Sequence, residues 1–258
     1  MPELQSKASA RRMAISVFAA STAMLVPASV DSRTVSIPFN PAHFSNPLII
    51  NNPLFPLVAG KTYIFRAATT DGCEEDHVVV TNHSKRIAIG VSAREVHDSV
   101  YSGATCGPGM LLTEDTLDWY AQDDSGNVWY LGEDSKTCDA TGCVPSDGSW
   151  EAGADPANIG SNGIPGIIML ARPRKGDSYR QEYYAGHAED QATVIDVNVD
   201  VTLTRADAYQ PNVFHHCIKT KEFTALEAGA PAYKWNCPAF GTVMEDEKGS
   251  HNELVAIQ

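Results

Sequence analysis

The segment Leu117–Glu133 constrains the fold more than any other part of the chain. It contains two aromatic-rich runs, Asp118-Trp-Tyr-Ala-Gln122 and Asn127-Val-Trp-Tyr-Leu131, on either side of Asp-Asp-Ser-Gly. Aromatic and β-branched residues favour strands, while Asp, Gly and Asn favour tight turns. The segment therefore predicts a β-hairpin in the main sheet of an all-β domain, and two of the four tryptophans lie in it.

Short alternating runs of the same kind follow one another along most of the chain. Early examples are Thr62–Arg66, Asp76–Thr81 and Arg86–Ser92, with a turn predicted at Asn82–Lys85. Alternation with a period of two is typical of half-buried antiparallel strands. No long apolar stripe of helical period interrupts the series. The sequence therefore predicts an all-β fold, either a strongly curved antiparallel sheet or an open half-barrel meander.

Residues 1–30 have the pattern of a secretory signal segment. A basic start with Lys7 and Arg11 precedes an apolar run over Met13–Val26, which is followed by small residues. Polar residues interrupt this run, and it is shorter than the ~20 residues that a membrane span needs, so a retained anchor is the less favoured alternative. The protein is therefore predicted to be secreted or periplasmic.

The chain beyond the signal segment divides into two parts by composition. Residues 31–60 are rich in Pro and Asn, which predicts an extended lead-in on the domain surface. Residues 61–258 carry the strand pattern. They predict a single β domain, because sandwiches and barrels of this length fold as one unit.

The chain is acidic, with a formal net charge of −13. Such a field repels phosphate backbones and anionic lipid head groups, which disfavours nucleic acid as a partner. No stable membrane span is expected after removal of the signal segment, and a small neutral or apolar ligand, a cation or a basic protein remains compatible with the charge. Phosphate-binding loops and dinucleotide fingerprints do not occur in the sequence, so no cofactor is predicted.

Six cysteines lie beyond the signal segment, and this even number favours disulfides in an oxidising compartment. Cys138 and Cys143 enclose only Asp-Ala-Thr-Gly, which favours a local bridge. Six cysteines allow fifteen arrangements. Once Cys138 and Cys143 are paired, the remaining cysteines nearest in sequence form Cys73–Cys106 and Cys217–Cys237.

Several motifs resemble those of a family of secreted bacterial proteins of uncharacterised function. In chain order they are Asp118-Trp-Tyr-Ala-Gln-Asp123, Gly126-Asn-Val-Trp-Tyr-Leu-Gly-Glu133, Gly148-Ser-Trp-Glu-Ala-Gly153, Gly166-Ile-Ile-Met169 and Gly176-Asp-Ser-Tyr-Arg-Gln-Glu-Tyr-Tyr184. The resemblance covers roughly residues 45–258 and is specific, because several motifs agree in order. It implies no known activity.

The segment Lys234–Val243 is similar to the closing segment of that family, where a Lys-Tyr-Tyr-Ala-Pro-Gly-Val-Gly-like run precedes the last hairpin. Cys237 and Phe240 depart from this run. The additional cysteine supports a Cys217–Cys237 bridge in this member. A similar segment occurs in curved-sheet envelope proteins related to lipoprotein carriers, so the resemblance implies an open half-barrel.

The candidate ligand-binding residues are Trp119, Tyr120, Trp129 and Tyr130. They alternate along the two predicted strands, so the tryptophans share one face and the tyrosines share the other. Cross-strand aromatic pairs stabilise such a hairpin, so packing in the core explains these residues without a ligand. On the concave side of a half-barrel, the same rings would hold an apolar ligand or a sugar ring.

Two segments contain residue types that bind metals, and a structural interpretation is favoured for both. Asp123–Asn127 offers oxygen ligands for Ca²⁺, but Asp, Gly and Asn also form hairpin turns. His215-His216-Cys217 offers ligands for zinc or copper. Neighbouring strand residues point to opposite faces, however, and Cys217 is expected in a disulfide. No metal site is predicted.

The favoured function is an exported, non-enzymatic binding or envelope-associated protein that holds an apolar or neutral ligand on its concave sheet. No catalytic residue is assigned. One alternative is an extracellular hydrolase or lyase acting on a polymer, and another is calcium-dependent adhesion through the acidic turns. The enzyme requires at least two of six residues to converge in one cleft: His77, His97, Glu114, Asp118, Glu182 and Tyr183.

Overall fold

The computed structural model describes residues 32–70, 72–154, 163–226, 231–247 and 250–258. The predicted signal segment and residues 155–162 of the predicted loop 151–166 lie outside these ranges. The described residues contain no α-helix, only a short 3-10 helix at Pro41–His43. Their strands are β1 (Arg33–Thr34), β2 (Thr62–Thr69), β3 (Gly72–Arg86), β4 (Ser92–Gly103), β5 (Leu111–Gln122), β6 (Val128–Asp139), β7 (Gly142–Pro145), β8 (Trp150–Glu151), β9 (Ile164–Met169), β10 (Asp177–Arg180), β11 (Glu182–Tyr183), β12 (Asp190–Thr202), β13 (Val213–Thr224), β14 (Ala232–Cys237), β15 (Gly241–Glu247) and β16 (Ser250–Ile257).

All sixteen strands belong to one sheet. Its main path has the order β1-β10-β12-β13-β14-β15-β16-β2-β3-β4-β5-β6-β9-β11, with β7 and β8 paired to β6. Neighbours are antiparallel except β1 and β10. The prediction of an all-β fold built on a curved antiparallel meander is confirmed. Across the parts of the chain that the structure describes, no helix has the length and apolarity to cross a membrane.

The sheet returns on itself at Gln181. This residue alone separates β10, which pairs with β12, from β11, which pairs with β9. Gly166 on β9 lies so close that a Cβ there would be 2.0 Å from the carbonyl oxygen of Gln181. Only glycine permits this approach. Gly166 thus allows β9, which is near one end of the strand order, to lie close to Gln181, which follows β10 near the other end. The two ends of this open, curved sheet therefore lie close together.

Two clusters of buried apolar side chains form the core. The first includes Trp119, Trp129, Leu131, Trp150 and Tyr184. The second includes Phe65, Val80, Phe214, Trp235 and Leu254. Tyr120 and Ile168 pack against both clusters and connect them.

The Pro-rich segment before β2 packs onto the sheet. Phe39 and Phe44 contact Trp129 with ring centroids 5.2 and 6.2 Å apart, in edge-on geometry. Ile50 and Leu57 are joined by an antiparallel bridge and are buried in the second cluster. The segment thus contributes apolar surface to both clusters.

The turn predicted at Asn82–Lys85 is wrong. These residues lie within β3, which continues to Arg86, and the chain reverses between Ile87 and Val91. Gly90 has φ +89° in this turn, which a glycine adopts without strain. A register shift between Val80 and Ser84 lets β3 extend past its polar residues, because a bulge accommodates an additional residue in one strand of a pair.

The structure contains three disulfides, Cys73–Cys106, Cys138–Cys143 and Cys217–Cys237. They are the pairs expected from proximity in sequence. Cys217–Cys237 connects β13 to β14 within the second cluster, where both residues are buried. Cys138–Cys143 closes the β6–β7 hairpin. Bridges of this number are typical of proteins in oxidising compartments.

We expect loss of Cys217–Cys237 to destabilise the fold more than loss of Cys138–Cys143. Loop-closure entropy gives about 3 kcal/mol for the first bridge and about 2 kcal/mol for the second, because their sequence separations are 20 and 5 residues. Denaturant unfolding of the two paired Cys→Ala variants measures the difference. A larger loss for the Cys138–Cys143 variant would contradict this ranking.

Candidate functional site

The turn of the β5–β6 hairpin is organised by Asp123. Its Oδ1 accepts hydrogen bonds from the backbone N–H groups of Ser125 and Asn127, both at 2.9 Å. Its Oδ2 accepts from the Asn127 side chain at 2.8 Å and from Trp129 Nε1 at 2.9 Å. Donors of the protein thus occupy both oxygens, and this acidic segment is the predicted hairpin turn. Among the described residues, no group of three or more His, Cys, Asp or Glu side chains is arranged to hold a metal ion.

The four aromatic residues of this hairpin have different surroundings. Trp119 and Trp129 are buried in the first cluster, and Lys85 Nζ lies 3.3 Å from the centroid of the Trp119 ring. Tyr120 and Tyr130 face each other across the strands and stack with centroids 4.9 Å apart. Tyr120 alone among the four lines a cavity. Of the four candidate ligand-binding residues, Tyr120 therefore lines this cavity, and the other three pack in the first cluster.

That cavity, which we call the chamber, has a volume of about 150 Å³. Its walls come from the loop before β2 and from β2, β3, β4, β5, β14, β15 and β16. Its aromatic lining consists of Phe55, Tyr63, Phe65, Tyr120 and Phe240. Its charged lining consists of Asp76, Asp98, Lys234 and Glu245.

Strand alternation explains which side chains reach the chamber. Tyr63 and Phe65 are two residues apart on β2, as are Asp76 and Val78 on β3, so each pair shares a face. The loop residue Phe55 covers the chamber and contacts Tyr120 edge-on, with centroids 5.6 Å apart. The chamber is therefore formed by neighbouring strands of the sheet together with the lead-in.

Asp76 and Asp98 form a carboxyl pair in the chamber wall. Burial raises the pKa of both side chains, and the charge of Asp76 contributes to the rise at Asp98. The two groups are hydrogen-bonded to each other, so one of them holds a proton. Oδ1 of Asp76 and Oδ1 of Asp98 are buried. Apart from the shared proton, they accept no hydrogen bond from the described residues. The pair therefore keeps unused acceptor capacity.

Lys234 is held by two carboxylates on either side of it. Its Nζ lies 3.2 Å from Glu222 and 3.4 Å from Glu245. The charges of these residues raise the pKa of Lys234 well above its ordinary value. Lys234 is thus positively charged at physiological pH, and its charge is balanced by neighbours other than the Asp76–Asp98 pair.

A second cavity of about 450 Å³ adjoins the chamber and shares Asp76, Glu245 and Asn252 with it. We call it the vestibule. Glu74 and Glu247 also line it, at the ends of the β2–β3 and β15–β16 hairpins. Burial and the charges of neighbouring glutamates raise the pKa of Glu74. The described lining of the vestibule includes acidic residues and no basic one.

Other buried carboxyl groups lie inside the sheet but outside both cavities. Asp118 accepts a hydrogen bond of 2.5 Å from the Tyr130 hydroxyl, and burial together with the charge of Asp98 raises the pKa of Asp118 to about 7. Glu182 accepts from Trp150 Nε1 at 2.9 Å. Burial raises the pKa of Glu182 to about 7 and that of Glu133 to about 9, each with a contribution from nearby carboxylates.

The residues proposed for an enzyme are only partly brought together. The charge of Asp118 contributes to the raised pKa of Glu182, and the charge of Glu114 contributes to the raised pKa of Asp118. His77 instead contacts Glu75 at 2.6 Å, and His97 contacts Asp115 at 2.6 Å. Tyr183 lies beneath the Arg180 guanidinium, which is 4.1 Å from its ring centroid. None of the six lines the chamber or the vestibule.

The His215-His216 pair contacts different partners. His215 lies 3.0 Å from Asp200, and His216 lies 2.8 Å from Asn198. Cys217 is in a disulfide.

The sequence did not identify the chamber carboxyl groups. Asp76 follows Glu74 and Glu75, and such an acidic run is typical of a solvated strand end. Asp76 and Val78 are two residues apart on a strand, so their side chains point to the same face. This spacing was the available signal for an inward-facing carboxyl group. Asp98 has no comparable local signal, since its partner lies on the neighbouring strand.

Comparisons with known proteins give little guidance. No family model matches the chain, and no curated protein matches it. One solved structure, described as a “putative lipoprotein” from Parabacteroides distasonis, is 12% identical. The match covers 80% of this chain and 98% of that chain, with a TM-score of 0.37. A likeness at this TM-score carries no argument, so the function is inferred from the site.

Proposed function

We propose that this protein is an exported, non-enzymatic binding protein that holds one small ligand in the chamber. The observation that carries the proposal is an aromatic-lined cavity inside the curved sheet whose wall contains buried carboxyl oxygens without donors. Small-molecule sites are typically concave and apolar, with a few polar groups that fix orientation. A cavity of about 150 Å³ is the size that accommodates a benzene ring.

The location proposed for the protein is extracytoplasmic. The three disulfides and the signal pattern of residues 1–30 support export. The ordered motifs between Asp118 and Tyr184 support membership of the family of secreted bacterial proteins that they resemble.

The chamber favours binding over catalysis. Asp118 and Glu182 have pKa values suited to proton transfer at neutral pH. A hydrolase acting on a polymer needs such groups in an open groove, whereas these two line neither cavity. The hydrogen-bonded Asp123 similarly gives calcium-dependent adhesion no support.

Native mass spectrometry of the purified protein, before and after incubation with a small-molecule extract of its growth medium, tests the proposal. We expect one small ligand per chain. Val78→Phe, which fills the chamber, and Tyr120→Leu, which removes an aromatic wall, should abolish the bound mass. Tyr130→Phe is the matched control, because Tyr130 stacks on Tyr120 without lining the chamber.

Circular dichroism establishes that each variant is folded. The proposal fails if the wild-type protein carries no ligand under either condition. It also fails if folded Val78→Phe retains the ligand as fully as Tyr130→Phe, because the bound molecule then lies outside the chamber.

A further inference from the structure

We infer that the ligand of the chamber is a small organic cation, an amine whose ammonium group lies against Asp76 and Asp98 while its apolar part lies among the aromatic rings. This inference rests on the proposed function and specifies its ligand class. It refines the expectation of an apolar or neutral ligand, which came from the hairpin aromatics alone.

The aromatic lining suits both parts of such a ligand. Tyr63, Phe65, Tyr120 and Phe240 present rings to the same small volume. Aromatic rings bury apolar groups, and their faces attract cations within about 6 Å of the ring centroid. The lining therefore stabilises a cation as well as a hydrocarbon.

The carboxyl pair provides acceptors for the ammonium group. Oδ1 of Asp76 and Oδ1 of Asp98 are buried and receive no donor from the described residues apart from the proton that they share. A buried acceptor without a donor is costly, and hydrogen bonds to charged groups are stronger than neutral ones. The N–H groups of an ammonium ion would satisfy these oxygens and balance their charge.

Lys234, the one lysine among the described residues of the chamber lining, does not compete for this role. Lys234 is bound to Glu222 and Glu245, and its charge is balanced there. A ligand carboxylate would place a further negative charge beside Asp76 and Asp98. The chamber therefore discriminates against anions.

The vestibule selects for the same charge. Glu74 and Glu247 line it, in addition to Asp76 and to Glu245, which balances Lys234. A cavity lined by one sign of charge raises the local concentration of ions of the opposite sign. A cation is thus concentrated at the approach to the chamber.

Binding of the cation would release a proton. The ammonium ion enters with its charge, the proton shared by Asp76 and Asp98 passes to the buffer, and both carboxylates accept hydrogen bonds from the ligand. Affinity should therefore rise with pH until the ligand-free pair has lost its shared proton. The charged groups that act on the pair are Glu74 on β3, Glu114 and Asp118 on β5, Lys234 on β14 and Glu245 on β15.

Isothermal titration calorimetry with benzylamine, benzyl alcohol and benzoate tests the inference, since these probes share a ring and differ in charge. We expect benzylamine to bind at least about tenfold more tightly than benzyl alcohol, as one charge-assisted hydrogen bond implies. Benzoate should show no binding. Titration in buffers of different ionisation enthalpy should show proton release with benzylamine alone.

Asp98→Asn should lower benzylamine affinity at least about tenfold and leave benzyl alcohol affinity unchanged. Glu182→Gln is the matched control, because burial also raises the pKa of Glu182 but this residue does not line the chamber. Equal affinity for benzylamine and benzyl alcohol would overturn the cation inference and leave the proposed function standing. Failure of all three probes, while native mass spectrometry shows another ligand in the chamber, would also overturn it. Failure of the probes together with an empty chamber would overturn both.

Discussion

Replacing Lys234 with methionine is expected to destabilise the fold by about 1–3 kcal/mol at pH 7, between the losses typical of an exposed and of a fully buried ion pair. Lys234 lies within 3.2 and 3.4 Å of Glu222 and Glu245. Without it, two partly buried carboxylates are left beside each other and without a counter-charge. Urea unfolding of the wild-type and variant proteins measures the difference.

Two comparisons make this test specific. Lys175→Met removes a more exposed lysine that pairs with Asp196, and it should change the free energy of unfolding by less than about 1 kcal/mol. The loss in Lys234→Met should also be smaller at acidic pH, because burial raises the pKa of Glu245 and this partner gains a proton there. A loss below about 1 kcal/mol at pH 7 would show that the lysine does not hold this cluster together.

Glu133→Gln is expected to flatten the dependence of stability on pH. The pKa of Glu133 is raised to about 9, mainly by burial, so the folded protein keeps a proton that the unfolded chain loses above its ordinary pKa. Stability from this group is therefore fully present at low pH and falls by up to about 1.4 kcal/mol per unit between roughly pH 4.5 and pH 9. Glutamine is neutral throughout and removes this decline.

Chemical unfolding at several values from pH 5 to pH 9 measures the two profiles. The gain in stability from Glu133→Gln over the wild-type protein should grow with pH across this interval. Asp147→Asn is the control, because the Asp147 side chain is 94% exposed. Parallel profiles for the wild-type and Glu133→Gln proteins would show that Glu133 is ionised in the folded state.

Much of the fold follows from local patterns in the sequence. Alternation identified most strands, and the Asp-Asp-Ser-Gly-Asn segment forms the turn that its residue types favour, because Asp123 binds backbone and side-chain donors of its own hairpin. The disulfides followed from proximity because each connects nearby segments of a meander. The wrong turn at Asn82–Lys85 shows the limit of such reasoning. A bulge kept polar residues in β3, and the less conspicuous Gly90 forms the turn.

The candidate site was harder to predict, since it depends on contacts across the sheet. Trp119 and Tyr120 are adjacent and both aromatic, yet one packs in the core and the other lines the chamber. In sequence, Asp76 resembles its acidic neighbours Glu74 and Glu75, and only β4 distinguishes it by placing Asp98 opposite the same interior. Lys234 has two carboxylate partners only because β13 and β15 lie on either side of β14. These contacts join residues that are distant in sequence, so no local sequence pattern predicts them.

A crystal structure of the protein grown with benzylamine tests the central claim, that the curved sheet encloses a chamber for a small organic cation. The account predicts one molecule with its ring beside Tyr120 and Phe240. Its nitrogen should lie within ~3 Å of a carboxylate oxygen of Asp76 or Asp98. A chamber filled by protein side chains, or an amine nitrogen directed away from both carboxyl groups, would contradict it.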